Sequence, residues 1–289
     1  MKIKKVLVLY KRSAYKIYFL DQKSTFLKKK RQLFEEKIKH FKHLHDEHYQ
    51  SLNQVAKVLS NHKIPFLKNL RGQKVSYRGF DFIITVGGDG TFLEASQNVK
   101  DQIILGVNSS PGYSVGKYCA MAGPNFEKTL KAILEDKFKI IFLPRLSVKV
   151  DNGSQILNAL NDILVCHADP AAMSRYVIEI GKHKEEQRSS GVWIATPSGS
   201  TGAIKSAGGK VLKSDDRRFQ YRPRELYEWK RKKYCLRGGL LKPSQSIAIT
   251  SLMRGGMACI DGTHIRLPFP YGSQLKVTMS SHLLKTIHV

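Results

Sequence analysis

Residues 81–94, Asp-Phe-Ile-Ile-Thr-Val-Gly-Gly-Asp-Gly-Thr-Phe-Leu-Glu, constrain what this chain can fold into more than any other stretch. Ile83, Ile84 and Val86 supply the β-branched side chains of a buried strand. Gly87, Gly88 and Gly90 follow at once. Glycine there permits positive φ and lets a ligand approach the backbone closely. Thr91 is placed to cap the helix that follows. Such a turn and helix start turn backbone N–H groups toward an anion such as phosphate. Asp89 does not belong in a plain anion cradle, because its charge repels phosphate. A carboxylate in that place points to a proton accepted from a hydroxyl, or to a cation held beside the phosphate. A simple strand–turn–helix connection also favours Gly and Asp, so the rest of the chain has to decide.

The flanking sequence repeats the strand–helix alternation. Lys5–Tyr10 reads as a first strand, Lys63–Phe66 as a short second one, and Ile103–Val107 as a strand after the glycine turn and its helix to about Asn98. Residues 24–61 are highly charged, with apolar positions at Phe26, Leu33, Phe34, Ile38, Phe41, Leu44, Leu52, Val55 and Leu59. That spacing predicts one or two amphipathic helices. His45 with His48, or His40 with His43, would share a helix face. A metal site is one reading of them. A solvated basic face is the favoured one, because metal ligands also need hydrogen-bonding groups behind them. The alternation predicts a doubly wound α/β unit, with the turns at Gly87–Thr91 and Asn108–Gly116 on the carboxyl edge of the sheet, where such folds bind ligands. Pro124–Asp136 predicts a further helix.

From Lys139 the pattern changes to short strands: Ile140–Phe142, Leu146–Val150, Ile163–Cys166, Tyr176–Ile180, Val192–Thr196, Ser246–Ser251, Met257–Ile260, Ile265–Leu267 and Leu275–Met279. Ile260-Asp261-Gly262-Thr263 reads as a two-residue hairpin. The expectation is therefore α/β plus β, with a parallel-sheet domain over residues 1–137 and a β-rich domain over 138–289. A chain of 289 residues, 42% hydrophobic, can bury a substantial core. The net charge of +26 implies attraction to polyanions, without choosing among nucleotides, polyphosphate, nucleic acid and anionic membranes. Cys119, Cys166, Cys235 and Cys259 form no CxxC pair. A disulfide framework or zinc site is not expected, and a reducing cytoplasm fits best. No apolar run reaches the ~18 residues of a membrane span, and the basic start lacks a signal peptide's apolar region.

Two further polar clusters accompany the glycine turn. Asn161-Asp162 precedes a strand, and an amide beside a carboxylate can bind a ribose edge or an adenine amine. Thr196, Ser198, Ser200 and Thr201 gather hydroxyls around Gly199 at the end of another strand. Either alone is weak, since Ser/Thr/Gly turns are often structural. Taken in order, GGDGTFLEA (87–95), LGVN (105–108), ALND (159–162), SSGVWIATPSGSTGAIKSAGG (189–209) and Asp261-Gly262 resemble the NAD kinase family. The match covers most of the chain after residue 80. GGDGT alone is shared with diacylglycerol-type and sphingosine kinases. TPSGST with the Asn-Asp pair makes the NAD kinases much the closer family. Common members carry Asn-Glu at 161–162, Asp-Gly at 190–191 and Ala-Tyr at 202–203. Here Asp162, Ser190 and Gly202-Ala203 depart from that, and the stretch 108–119 with 189–191 is more similar to the mitochondrial-type branch.

The resemblance implies a Rossmann-like first domain, a second β domain that binds NAD, an active site between them and a homodimer or homotetramer. It implies phosphoryl transfer from ATP, or another nucleotide or polyphosphate, to the 2′-hydroxyl of the adenosine ribose of NAD(H), with Mg²⁺ carried by the donor phosphates. Asp89 would be the base. Gly88, Gly90 and Thr91 would present N–H groups to phosphates. Asn108, Asn161, Asp162, Ser190, Thr196, Ser198, Ser200, Thr201 and Ser206 would line the dinucleotide site. No residue is expected to bind a metal of its own. The basic stretch 210–242 is either a phosphate-binding rim or a solvated face, and charge runs usually face water. The alternatives are a lipid kinase with the same glycine turn, and a non-catalytic polyanion or nucleic-acid binder. No nucleic-acid-binding motif supports the latter.

Overall fold

The computed structural model describes residues 1–21, 35–151, 156–228 and 233–288. The chain divides into two compact units, Met1–Ile141 with Lys285–Val289, and Phe142–Leu284.

The first unit is built on β1 (Val6–Tyr10), β2 (Phe66–Leu70), β3 (Phe82–Gly87), β4 (Ile103–Asn108), β5 (Cys119–Ala122) and β6 (Lys139–Leu143). The final strand of the chain, numbered β19 (Leu284–His288), returns to the same sheet. The order is β2-β1-β3-β4-β19-β6, with β5 attached to β4. The pairings β1–β2, β1–β3, β3–β4, β4–β5 and β4–β19 are parallel. All six residues of β3 are buried, which is why the strand reads as a continuous apolar run rather than an alternation. Helices α1 (Glu35–Asn61), α2 (Asp89–Asn98) and α3 (Phe126–Leu134) accompany the sheet. Leu52, Val55, Val58 and Leu59 of α1 join Phe126, Leu130 and Ile133 of α3 in a core with β1, β3 and β4. Their spacing of three and four residues puts them on one helix face.

Several expectations change. The second strand is Phe66–Leu70 rather than Lys63–Phe66, because α1 runs to Asn61 and Lys63 turns the chain in the left-handed region, φ 55°. A single helix covers residues 35–61, while Phe26, Leu33 and Phe34 lie outside the described residues. The helix expected over Pro124–Asp136 is a 3₁₀ turn, Gly123–Asn125, followed by α3. The second unit does not include the chain's end. Thr286 donates its hydroxyl to Ile104 O at 2.9 Å, and Lys285 and Thr286 register with Ile103 and Ile104.

The second unit holds two antiparallel sheets. One has the order β11-β10-β15-β18-β7-β8, with β7 Leu146–Val150, β8 Ile156–Ala159, β10 Ser174–Ile180, β11 His183–Ser189, β15 Ser246–Ser251 and β18 Gln274–Met279. The other runs β14-β13-β12-β9-β16-β17, with β9 Asp162–His167, β12 Val192–Ala195, β13 Phe219–Pro223, β14 Gly239–Leu241, β16 Gly256–Ile260 and β17 Ile265–Pro268. Val148, Tyr176, Ile249 and Val277 of one sheet share a core with Val165, Ile194, Phe219 and Ala258 of the other. This is the two-layer arrangement that alternating strands require. The hairpin at 260–265 is longer than expected. Ile260 pairs with Ile265, leaving Asp261–His264 as a four-residue turn. Among the described residues, no helix is long and apolar enough to cross a membrane.

Candidate active site

The glycine turn lies at the carboxyl end of β3 and leads straight into α2, whose first residue is Asp89. None of Gly87, Gly88 and Gly90 has positive φ. Glycine is needed at 87 for space, where a Cβ would strike Oγ1 and Cβ of Thr91, while at 88 a Cβ would meet only the Ser114 hydroxyl, which can rotate away. Thr91 does not cap α2. It sits inside the first turn, buried, and its Oγ1 has no hydrogen-bond partner. Asp89 Oδ1 accepts the backbone N–H of Tyr118 at 2.8 Å. Burial lowers the Lys117 pKa and the Asp89 carboxylate opposes that shift, while the same carboxylate helps burial push the Cys119 thiol up to about 12.

Asn108 shapes the neighbouring loop. Its Oδ1 accepts Ser110 N–H at 3.1 Å and its Nδ2 donates to Ser114 O at 3.0 Å. Ser109 N–H donates to Gly87 O at 3.0 Å and ties this loop to the glycine turn. Behind it lies His48 of α1, fully buried, 2.9 Å from Ser109 Oγ through Nδ1 and 2.8 Å from Lys11 O through Nε2. A carbonyl can only accept, so Nε2 carries the proton and Nδ1 accepts from Ser109. Among the four histidines of the charged segment, His48 is thus a structural bolt. His45 bonds Ser13 Oγ through Nδ1 at 2.6 Å.

In the second unit the structure brings Asn161, Asp162, Thr196, Ser198 and Ser200 together. β9 and β12 pair so that Asp162 faces Ala195. Thr196 N–H donates to Asn161 O at 2.9 Å, and its hydroxyl donates to Leu160 O while accepting Gly199 N–H at 2.9 Å. Ser200 Oγ accepts Leu212 N–H at 2.9 Å. These two buried hydroxyls build the turn. Ser198 is buried as well, while Asn161 is half-buried and Thr201 and Ser206 are exposed. A Cβ on Gly199 would fall on the carbonyl oxygen of Asn161, so only glycine lets this turn close against Asn161. Ser190 is not part of the group. It precedes β12 at the end opposite Thr196, beside Arg224, whose O accepts its N–H at 3.1 Å.

Sequence reasoning missed the residue beneath Asn161 and Asp162. Asp261 is buried, and its carboxylate accepts the N–H groups of Leu160 (3.0 Å), Asn161 (2.7 Å) and Asp162 (3.3 Å). Its own N–H donates to Asp162 O at 2.9 Å. Burial, then the Asp261 charge, push the Asp162 carboxyl up to about 7. Arg145, also buried, donates Nε to His282 O at 3.0 Å. Burial lowers its pKa and the Asp261 carboxylate opposes that shift. The signal available was Asp261-Gly262, which the sequence shows as a turn and as part of the family resemblance but without a partner for its carboxylate.

In the basic stretch, Arg218 pairs with Asp216 at 2.7 Å, Arg237 with Glu228, and Arg222 donates Nε to Ala207 O at 2.9 Å. Lys230, Arg231 and Lys232 lie outside the described residues. These intramolecular partners favour the solvated-face reading. Among the described residues, no group of three or more His, Cys, Asp or Glu side chains forms a metal cage. Mg²⁺ carried by donor phosphates would meet one carboxylate in the glycine turn, that of Asp89. It typically takes one or two carboxylates plus phosphate oxygens and keeps several waters.

The ATP-NAD kinase N-terminal domain matches residues 7–138, and the ATP-NAD kinase C-terminal domain matches residues 160–289. A probable NADH kinase of Oryza sativa subsp. japonica is 34% identical over 264 residues, covering 83% of this chain and 81% of that one. An NADH kinase of Arabidopsis thaliana is 30% identical over 231 residues, covering 72% of each. A solved NAD kinase from Archaeoglobus fulgidus in complex with ATP aligns with a TM-score of 0.67 at 22% identity, over 98% of this chain and 92% of that one. Yeast NADH kinase complexed with NADH aligns at 0.73 and 14% identity, over 100% and 84%. At those identities the two structures speak for the fold. The domain matches and the two plant relatives carry the further step: the chain belongs to the NAD kinase family and is a phosphoryl-transferring enzyme.

Proposed function

We propose that the protein phosphorylates the 2′-hydroxyl of the adenosine ribose of NAD or NADH, with ATP or another nucleotide or polyphosphate as donor, to give NADP(H). The observation that carries this reading is Asp89: one carboxylate in a turn of glycines, oriented by the N–H of Tyr118 at 2.8 Å, at the start of a helix. Phosphoryl transfer needs alignment and charge neutralisation more than covalent help. As the ribose oxygen bonds to phosphorus, the bond from phosphorus to the departing phosphate breaks and the hydroxyl proton passes to Asp89. The carboxylate takes that proton late, once bond formation has made the ribose oxygen acidic. Gly88 and Gly90 present N–H groups to phosphate, whereas the N–H of Thr91 is taken by Gly88 O at 3.0 Å. Mg²⁺ carried by the donor phosphates, beside the Asp89 carboxylate, would supply neutralising charge.

Asn161, Asp162 and the exposed Thr201 and Ser206 are assigned to the dinucleotide. Thr196 and Ser200 hold the turn that presents them, as their hydrogen bonds indicate. Asn108 has the corresponding part in the first unit. Ser190 is left out of this group. The reading includes a cytoplasmic setting, supported by four cysteines without disulfides. It also includes a homo-oligomer, supported by half-buried apolar side chains on one sheet face: Trp193 paired with Leu164, and Met257 two residues along β16 from Leu164's partner Cys259. The lipid-kinase and nucleic-acid readings are not favoured by the relatives.

The test incubates purified protein with Mg²⁺, NAD or NADH, and ATP or polyphosphate. NADP(H) is scored with an NADP-specific dehydrogenase, and the phosphate position by ³¹P NMR. Formation of the 2′-phosphate is expected with at least one pair. No product with any pair would reject the reading.

A further inference from the structure

The sequence contains no Walker-type Gly-x-x-x-x-Gly-Lys loop, yet a triphosphate brought to a turn with a carboxylate in it must meet positive charge. We propose that Lys117 is that cation: it binds the oligophosphate of the phosphoryl donor beside the Gly88–Thr91 turn. The proposal rests on the kinase reading above and adds a donor-binding residue to it.

Four observations carry it. First, Lys117 directly precedes Tyr118, whose N–H is bonded to Asp89 Oδ1 at 2.8 Å, so the lysine is anchored next to the proposed base. Second, that anchor is rigid. The Tyr118 ring stacks on Phe92 of α2 with centroids 5.1 Å apart and planes 8° from parallel, and both rings are buried. Gly116 before it adopts φ 60° with the Asn108 side chain against its Cα, a position closed to other residues. Third, the Lys117 side chain reaches the surface with Nζ 5.8 Å from the Tyr118 ring centroid, and although partial burial lowers its pKa, the Asp89 carboxylate lies close enough to oppose that shift. Fourth, the turn it borders has an unsatisfied group. Thr91 Oγ1 is buried with no partner, within an α2 first turn whose N–H groups attract anions.

Other cations near this edge are engaged differently. Arg71, following β2, pairs through Nε with Glu94 at 2.7 Å. Lys11, following β1, is half-buried, and its carbonyl is bonded to His48. An ammonium suits the task as a compact charge with three donors that can follow different phosphate oxygens.

The experiment uses the full chain and measures inorganic tripolyphosphate binding by calorimetry, with and without Mg²⁺, alongside KM for ATP and for NAD. Loss of one charge-assisted hydrogen-bond site predicts roughly 10- to 100-fold weaker tripolyphosphate binding in Lys117→Ala. KM for ATP should rise by a similar factor, KM for NAD should stay within about twofold and the Tm should change by no more than about a degree or two, as for most substitutions at largely exposed positions. Lys117→Arg, which keeps the charge, should recover most of the affinity. The inference is overturned if Lys117→Ala binds tripolyphosphate like wild type, or if KM rises for NAD in place of ATP. The two readings fail separately. An active wild type with an unaltered Lys117→Ala overturns the lysine's role alone. A wild type inactive with every donor, yet losing tripolyphosphate binding on Lys117→Ala, overturns the reaction and supports the phosphate site.

Discussion

Asp162 is a buried carboxyl with a second one, Asp261, beside it, and its pKa near 7 has a defined consequence for stability. In the unfolded chain it ionises near ~3.9. Between those values the folded state holds a proton that the unfolded state has released, so stability falls as pH rises. The stabilisation is complete below about pH 4 and lost above about pH 7. Asp162→Asn should flatten that decline. The variant's Tm should match wild type near pH 4 and exceed it at pH 8, and superimposable Tm–pH curves would refute the assignment. Asp261 has the opposite character. Its carboxylate satisfies three N–H groups and offsets the buried Arg145. Asp261→Ala leaves all of them uncompensated and should cost about 3–5 kcal/mol in denaturant unfolding. Asp89 could be read from sequence because a carboxylate among glycines conflicts with an anion cradle. The role of Asp261 could not, because its partners lie about a hundred positions away and the sequence around it shows a turn and a family motif but no partner for its carboxylate.

The element scale shows the same division. β3, the glycine turn and α2 were legible because an apolar run, glycines and a helix start are contiguous. β11, His183–Ser189, was not, because HKEEQRS is polar throughout and owes its conformation to pairing with β10 along its whole length. The carboxyl edge of the first sheet likewise depends on a long-range contact. His48 of α1 holds the ends of β1 and β4 together through Lys11 O and Ser109 Oγ. Burial, then the Lys11 charge, lower its pKa to about 4. Here the folded value lies below the unfolded ~6.5, so the stabilisation is present above pH 6.5 and lost as pH falls toward 4. His48→Leu removes both hydrogen bonds and should cost about 1–3 kcal/mol at pH 7, with much of the loss of stability between pH 6.5 and 4 abolished. Equal urea midpoints for variant and wild type at pH 7 would show that the bolt has no such role.

For the molecule as a whole, the chain's last strand returns to its first sheet, which a boundary drawn from local pattern could not show. Removing residues 284–289 uncovers Ile104 and Ile287's core partners and should lower the Tm by several degrees. The charge of +26 belongs to this scale too. It should draw an anionic donor toward the protein, so kcat/KM for ATP should fall between 50 and 200 mM salt more steeply than kcat/KM for NAD, the less charged substrate. The central claim is that this fold carries out phosphoryl transfer to a ribose hydroxyl with Asp89 as base. Its most direct measurement is single-turnover NADP formation by wild type and Asp89→Asn at saturating NAD, ATP and Mg²⁺. The predicted result is a rate lower by roughly 10²–10⁴ in the variant, with unchanged Tm and substrate affinities. An Asp89→Asn enzyme that turns over at the wild-type rate would contradict the account.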